Sequence, residues 1–148
     1  MEQESGYYHL SHNVSNLVYH FVCPAKYRRV VIDESVDECI RQTCMGIELR
    51  HEWISFLEIG TDKDHVHFLI QSVLSKSPQE IIRVVKSITA KRVFAEHPEV
   101  KKKLWGGEFW SDGYFVTRVG KNTNEAVIQK NVKQQGTQDE YKQLYMKV

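Results

Sequence analysis

Two histidines one residue apart, in the run Asp62-Lys63-Asp64-His65-Val66-His67-Phe68-Leu69-Ile70, carry the clearest chemical potential of this chain. In a strand, successive side chains point to opposite faces, so His65 and His67 share one face while Val66, Phe68 and Ile70 line the other. An apolar face buried in a core, with two imidazoles paired opposite it, is what a sheet-borne divalent-metal site needs. The plainer alternative is two half-exposed histidines on a strand, and so short a spacing does not by itself separate the two.

Charge is the second chemical feature. The formal net charge of +1 argues against a strongly basic nucleic-acid binder, but the charge is unevenly spread. From Arg83 to Lys103 seven basic residues stand against two acidic ones, and Lys26-Tyr27-Arg28-Arg29 forms a basic knot around an aromatic ring. Much of the offsetting acid (Asp33, Glu34, Asp37, Glu38) sits where the first turn of a helix favours it. Such separation suits either a phosphate-binding face on a near-neutral protein or merely a solvated helix face.

These groups need elements to position them. Leu17 to Cys23 is rich in β-branched and aromatic residues and ends at Pro24, which predicts a first strand, preceded by a loosely ordered arm over Met1 to Asn13. Val36, Ile40, Cys44 and Ile47 recur at helical steps and predict a helix from Asp33 to about His51. Trp53 to Ile59 is expected to be a strand with Trp53, Ser55, Leu57 and Ile59 on one face, joined by a short turn to the histidine strand as an antiparallel hairpin. Ser77-Pro78-Gln79-Glu80 is a strong helix start, and Pro98 stops that helix near Glu96. Its buried stripe is expected to be Ile81, Val84, Val85 and Ile88, with Arg83, Lys86, Ser87, Ala90 and Lys91 on another face. An aromatic loop, Leu104 to Trp110, leads to a strand from Gly113 to Val119, and Asn122-Thr123-Asn124-Glu125 opens a last helix that Gly136 closes. The order is a split β-α-β pattern. It predicts an α+β fold: a ferredoxin-like antiparallel sheet with helices on one face, plus an added C-terminal helix.

With 148 residues, of which 41% are hydrophobic, the chain fits one domain spanning 1–148. Cys23, Cys39 and Cys44 are odd in number and lack Cys-x-x-Cys spacing, which favours reduced, buried thiols over disulfides or a zinc ribbon. No apolar run approaches the ~20 residues that span a bilayer, and the start lacks signal-peptide features, so a cytoplasmic protein without a membrane partner is expected.

Taken together, the histidine strand, the Lys26-Tyr27-Arg28-Arg29 knot, the Trp110 to Tyr114 segment and the run Val119-Gly120-Lys121-Asn122-Thr123 resemble the single-tyrosine (Y1) transposases of the IS200/IS605 insertion-sequence family. The similarity runs from about residue 16 to residue 135, with the motifs in the family's order. The resemblance implies a His-hydrophobic-His (HUH) nuclease that cuts and rejoins single-stranded DNA at insertion-sequence ends, recognises hairpin DNA there and works as a homodimer. It makes His65 and His67 metal ligands, with Gln135 as the third. It also implies Mg²⁺ or Mn²⁺ as the cofactor, which suits imidazole plus amide oxygen better than a structural zinc would. Asp64 is a candidate to hydrogen-bond behind a ligand, whereas Asp62 reads as turn chemistry. Candidate DNA contacts are Lys26, Tyr27, Arg28, Arg29, Lys86, Lys91, Arg92 and Lys121, with Trp105 as a further stacking surface.

One position departs from the family pattern. Four residues before Gln135, where the nucleophilic tyrosine belongs, stands Asn131. A carboxamide nitrogen has a delocalised lone pair and does not replace a phenolic oxygen in attack on phosphorus. Tyr141 and Tyr145 lie further on and would serve only if the tail folded back. Three readings follow: a transposase-type strand transferase disabled at Asn131 or using another nucleophile; a non-catalytic DNA- or RNA-binding descendant; and a metal-dependent hydrolase using bound water.

Overall fold

The computed structural model describes residues 8–10, 13–15, 17–105 and 107–120. In chain order the elements are β1 (Tyr8–Leu10), β2 (Asn13–Ser15), β3 (Leu17–Pro24), a tight 3-10 segment (Lys26–Arg28), α1 (Glu34–Arg50), β4 (Ser55–Thr61), β5 (His65–Ser72), α2 (Pro78–Glu96), α3 (Pro98–Lys103) and β6 (Phe115–Val119). The expected C-terminal helix, with Lys121, Asn131 and Gln135, lies outside the described residues.

Four strands form one sheet in the order β4-β5-β3-β6, every neighbouring pair antiparallel. That order, with α1 between β3 and β4 and α2 between β5 and β6, is the ferredoxin-like split β-α-β arrangement that the sequence predicts. Helices α1 and α2 pack side by side over one sheet face. The main core is there, built from Phe21, Val66, Phe68 and Ile70 of the sheet against Val36, Ile40, Ile81 and Val85 of the helices.

Local chemistry explains where the helices begin. Asp33 caps α1, its Oδ1 accepting the Val36 N–H at 2.9 Å. Ser77 and Glu80 close a reciprocal capping box on α2, with bonds of 3.1 and 3.0 Å. Asp37 Oδ1 accepts both Arg41 Nε and Thr61 Oγ1, each at 2.9 Å, and so ties α1 to the end of β4.

The structure corrects three expectations and adds one element. Residues 8–10 and 13–15 pair antiparallel, so the loosely ordered arm contains a short hairpin. A register shift between Phe56 and Glu58 breaks the alternation of β4: Phe56 and Ile59 pack with the main core, while Leu57 joins Val18, Leu69 and Val119 on the opposite face. The buried stripe of α2 runs through Ile81, Ile82, Val85, Thr89 and Val93, with Val84 and Ile88 only partly buried. It takes in a polar residue because the Trp110 indole donates to Thr89 Oγ1 at 3.0 Å, and Thr89 donates to Val85 O at 2.7 Å. Finally, α3 places Lys101, Lys102 and Lys103 on a separate short helix. No described helix is long and apolar enough to cross a membrane.

Candidate metal centre and nucleic-acid face

Strand β5 carries the chemistry. Val66, Phe68 and Ile70 are buried in the core, and His65 and His67 therefore face away from the helices, as the alternation requires. Their ring centroids lie 5.0 Å apart. The face is not half-exposed: His65 is 0% and His67 2% accessible. It is a second buried layer, in which Val18, Val22, Leu69 and Phe115 surround the imidazoles.

Each ring is held by its Nδ1. His65 Nδ1 lies 2.7 Å from Asp64 Oδ1, and Asp64 Oδ2 accepts from Arg28 Nη2 at 3.0 Å and Nε at 3.2 Å. His67 Nδ1 shares a 3.0 Å hydrogen bond with His20 Nε2 on the neighbouring β3, the two rings stacked 15° from parallel. Both Nδ1 atoms being engaged by protein partners, a metal would be held through Nε2. A carboxylate behind one ligand and an imidazole behind the other hold the two rings in orientations that leave Nε2 for ligation. The donor chemistry thus fits the divalent ion implied by the sequence. Asp62, by contrast, accepts the Lys63 N–H at 2.7 Å and is turn chemistry.

Charge at the site follows from burial. Desolvation lowers the pKa of His67 to about 3, with His20 and His65 adding to the effect, and lowers His20 to about 4. Partial burial pushes Asp64 upward, but hydrogen bonds from His65 and Arg28 outweigh it and hold the carboxyl below its ordinary range. His20 and His67 are therefore neutral in the fold and protonate only on unfolding until well below pH 6.5. Since the unfolded state then binds more protons, stability falls as pH drops from 6.5 toward 4, by up to about 1.4 kcal/mol per pH unit per histidine. Metal-free protein is expected to lose thermal stability between pH 6.5 and 4.5; a melting temperature flat across that window would refute two buried neutral imidazoles.

His20 was missed by the sequence reading. Its position in the alternation of β3 puts it on the same side as Val18 and Val22, and only the pairing of β3 with β5 brings it to His67. The Lys26–Arg28 segment reaches the site by an unusual path: Tyr27 and Arg28 both adopt left-handed backbone, at φ 58° and 53°. For residues with a Cβ this costs roughly 1–2 kcal/mol each. It leaves Tyr27 65% exposed while Arg28 turns to Asp64.

The remaining candidate DNA contacts divide into two groups. Lys26 bridges Glu108 and Asp112 at 3.5 and 3.7 Å, Lys86 donates to the carbonyls of Ser111 and Asp112, and Arg92 pairs with Glu96. Arg29 and Lys91 are exposed, and the Arg29 guanidinium lies 4.8 Å from the ring centre of Trp105, itself 74% accessible and in left-handed backbone. Between α2 and residues 107–114 runs a groove of about 520 Å³, with Arg83, Lys86 and Lys91 along one wall and Phe94, Trp110 and Tyr114 lining it. Basic side chains beside aromatic faces are what a single strand needs for phosphate contacts and base stacking.

Comparison with known proteins points the same way. A family profile described as "Transposase IS200 like" matches residues 13–135. The ISDra2 transposase TnpA of Deinococcus radiodurans is 30% identical over 122 residues, covering 82% of this chain and 86% of that protein. The Salmonella typhimurium transposase for insertion sequence element IS200 is 31% identical over 136 residues, covering 88% and 84%. A crystal structure from Deinococcus radiodurans R1, described as a candidate transposase, superposes with a TM-score of 0.66 at 25% identity, covering 93% of this chain and 99% of that one.

Proposed function

The chain belongs to the IS200-like transposase family, and on that footing we propose that it binds single-stranded, hairpin-forming DNA at insertion-sequence ends and holds the scissile phosphate at a divalent metal on its histidine face. The observation that carries this reading is the buried His65–His67 pair with Asp64 behind the first imidazole and His20 behind the second. When bound, Mg²⁺ or Mn²⁺ supplies Lewis-acid polarisation of the phosphate. The chain's own residues do the rest: His65 and His67 hold the ion, Asp64 and His20 orient them, and Arg28 fixes Asp64. Gln135 is the third ligand in this proposal. Asn131 stands at the nucleophile's position, so the strand-cleaving step is disabled in this chain unless Tyr141 or Tyr145 supplies the hydroxyl. That substitution is also what favours the second reading, a non-catalytic DNA- or RNA-binding descendant.

Binding tests the proposal without requiring cleavage. Labelled hairpin with a single-stranded flank is expected to bind more tightly than duplex of equal length, and affinity is expected to fall steeply with salt, by roughly tenfold or more from 50 to 200 mM if a few phosphates are contacted. Arg29→Glu and Lys91→Glu, both exposed, should weaken binding to every sequence. Salt-independent binding would contradict the electrostatic account.

A homodimer belongs to the same proposal. Strand β3 (Leu17–Pro24) is flanked by β5 and β6 and offers no free edge to a partner. Among the described residues the sheet edges are β4 and β6, the strands that lateral pairing would use. Sedimentation at micromolar concentration should give twice the 17.3 kDa chain mass; a single-chain species alone would count against the dimer.

A further inference from the structure

On the helical side of the molecule a different set of side chains converges, with no part in the reading above. Cys39 lies on the second turn of α1, Glu96 ends α2, and His97 occupies the α2–α3 junction. One ligand atom of each lies within 4.8 Å of the others, and among the described residues this is the group in which three histidine, cysteine or acidic side chains come close enough to share an ion.

We propose that Cys39, Glu96 and His97 form a second metal site, suited to Zn²⁺, that clamps α1 to the corner between α2 and α3. One sulfur, one imidazole and one carboxylate oxygen, with water in the fourth position, make a tetrahedral zinc set, whereas a thiolate is a poor ligand for the Mg²⁺ or Mn²⁺ of the histidine face. The backbone prepares the site. His97 caps both helices, its N–H bonded to Val93 O at 2.7 Å, which fixes where its ring leaves the chain. Glu99 Oε2 stands 3.4 Å from His97 Nδ1, the place carboxylates take behind metal-bound imidazoles.

The local charge also favours a cation. Cys39 lies beside the Glu96 carboxylate, and Asp33 and Glu99 add negative field around His97. Arg92 is the opposing cation, paired with Glu96 Oε2, but a carboxylate has two oxygens and serves both partners. The binding step balances simply: Zn²⁺ replaces the thiol proton of Cys39, which is released to solvent, with no change of oxidation state. Cys23 and Cys44 are buried thiols elsewhere in the core and take no part.

Cobalt titration distinguishes this site from the histidine face, on which no cysteine lies. Reduced, metal-free protein titrated with Co²⁺ alone is expected to develop near-ultraviolet thiolate-to-cobalt charge-transfer absorption, bleached by added Zn²⁺. The band should persist in His67→Ala and vanish in Cys39→Ser. In His97→Ala and Glu96→Gln, which lie nearer the surface and serve if Cys39→Ser does not fold, cobalt affinity should fall by at least about tenfold. No band in the unmodified protein, a band that survives in Cys39→Ser, or unchanged affinity in both rim variants would overturn the site.

Discussion

Replacing Asn131 by tyrosine is expected to turn a chain that holds DNA without cutting it into one that becomes covalently attached to it. Displacement at phosphorus needs a nucleophile with an available lone pair, and the nitrogen of a carboxamide has its lone pair delocalised into the carbonyl. In the C-terminal helix expected from the sequence, a tyrosine at 131 would share a face with Gln135, four residues on. Its hydroxyl oxygen would bond to phosphorus while the 3′ oxygen departs with the proton, leaving a 5′-phosphotyrosine. With labelled single-stranded element ends and Mn²⁺, denaturing gels should show an adduct for Asn131→Tyr and none for the unmodified chain. An adduct on the unmodified chain, mapped to Tyr141 or Tyr145, would show the tail to be the working arm instead.

The second large effect concerns the histidines. His67→Ala removes one of two imidazole donors and is expected to lower Mn²⁺ affinity at this face by more than 100-fold, beyond the ~10–100-fold typical of losing a residue behind a ligand. Asp64→Asn, which leaves both ligands but weakens the hold on His65, should fall within that smaller range. Complete burial adds a consequence that a half-exposed strand would not have: without His67, His20 loses its hydrogen-bond partner inside the protein, at a cost of about 1–3 kcal/mol. Calorimetry should therefore show lost Mn²⁺ binding together with a lower melting temperature. Unchanged Mn²⁺ affinity in His67→Ala would remove the site.

The parts of this fold that were legible in the chain are those set by local periodicity. Alternation along β5 places Val66 and Phe68 in the core and the histidines opposite, and the Ser77-Pro78-Gln79-Glu80 start of α2 is written in its capping residues. What escaped depends on neighbours distant in sequence. Leu57 changes face because β4 shifts register against β5, and no alternation pattern announces a bulge. His20 joins His67, 47 residues away, only through the β3–β5 ladder. Arg28 and Lys86 read as cations for phosphate, but a left-handed turn and the 107–114 segment supply Asp64 and backbone carbonyls to them first.

The claim on which the rest depends is that His65 and His67 together ligate a divalent ion, and pulsed electron paramagnetic resonance of the Mn²⁺-loaded protein tests it most directly. The account predicts coupling to two imidazole nitrogens, falling to one in His65→Ala and in His67→Ala and unchanged in His97→Ala. A Mn²⁺ signal with oxygen ligands alone, or nitrogen couplings unaffected by either histidine substitution, would contradict it.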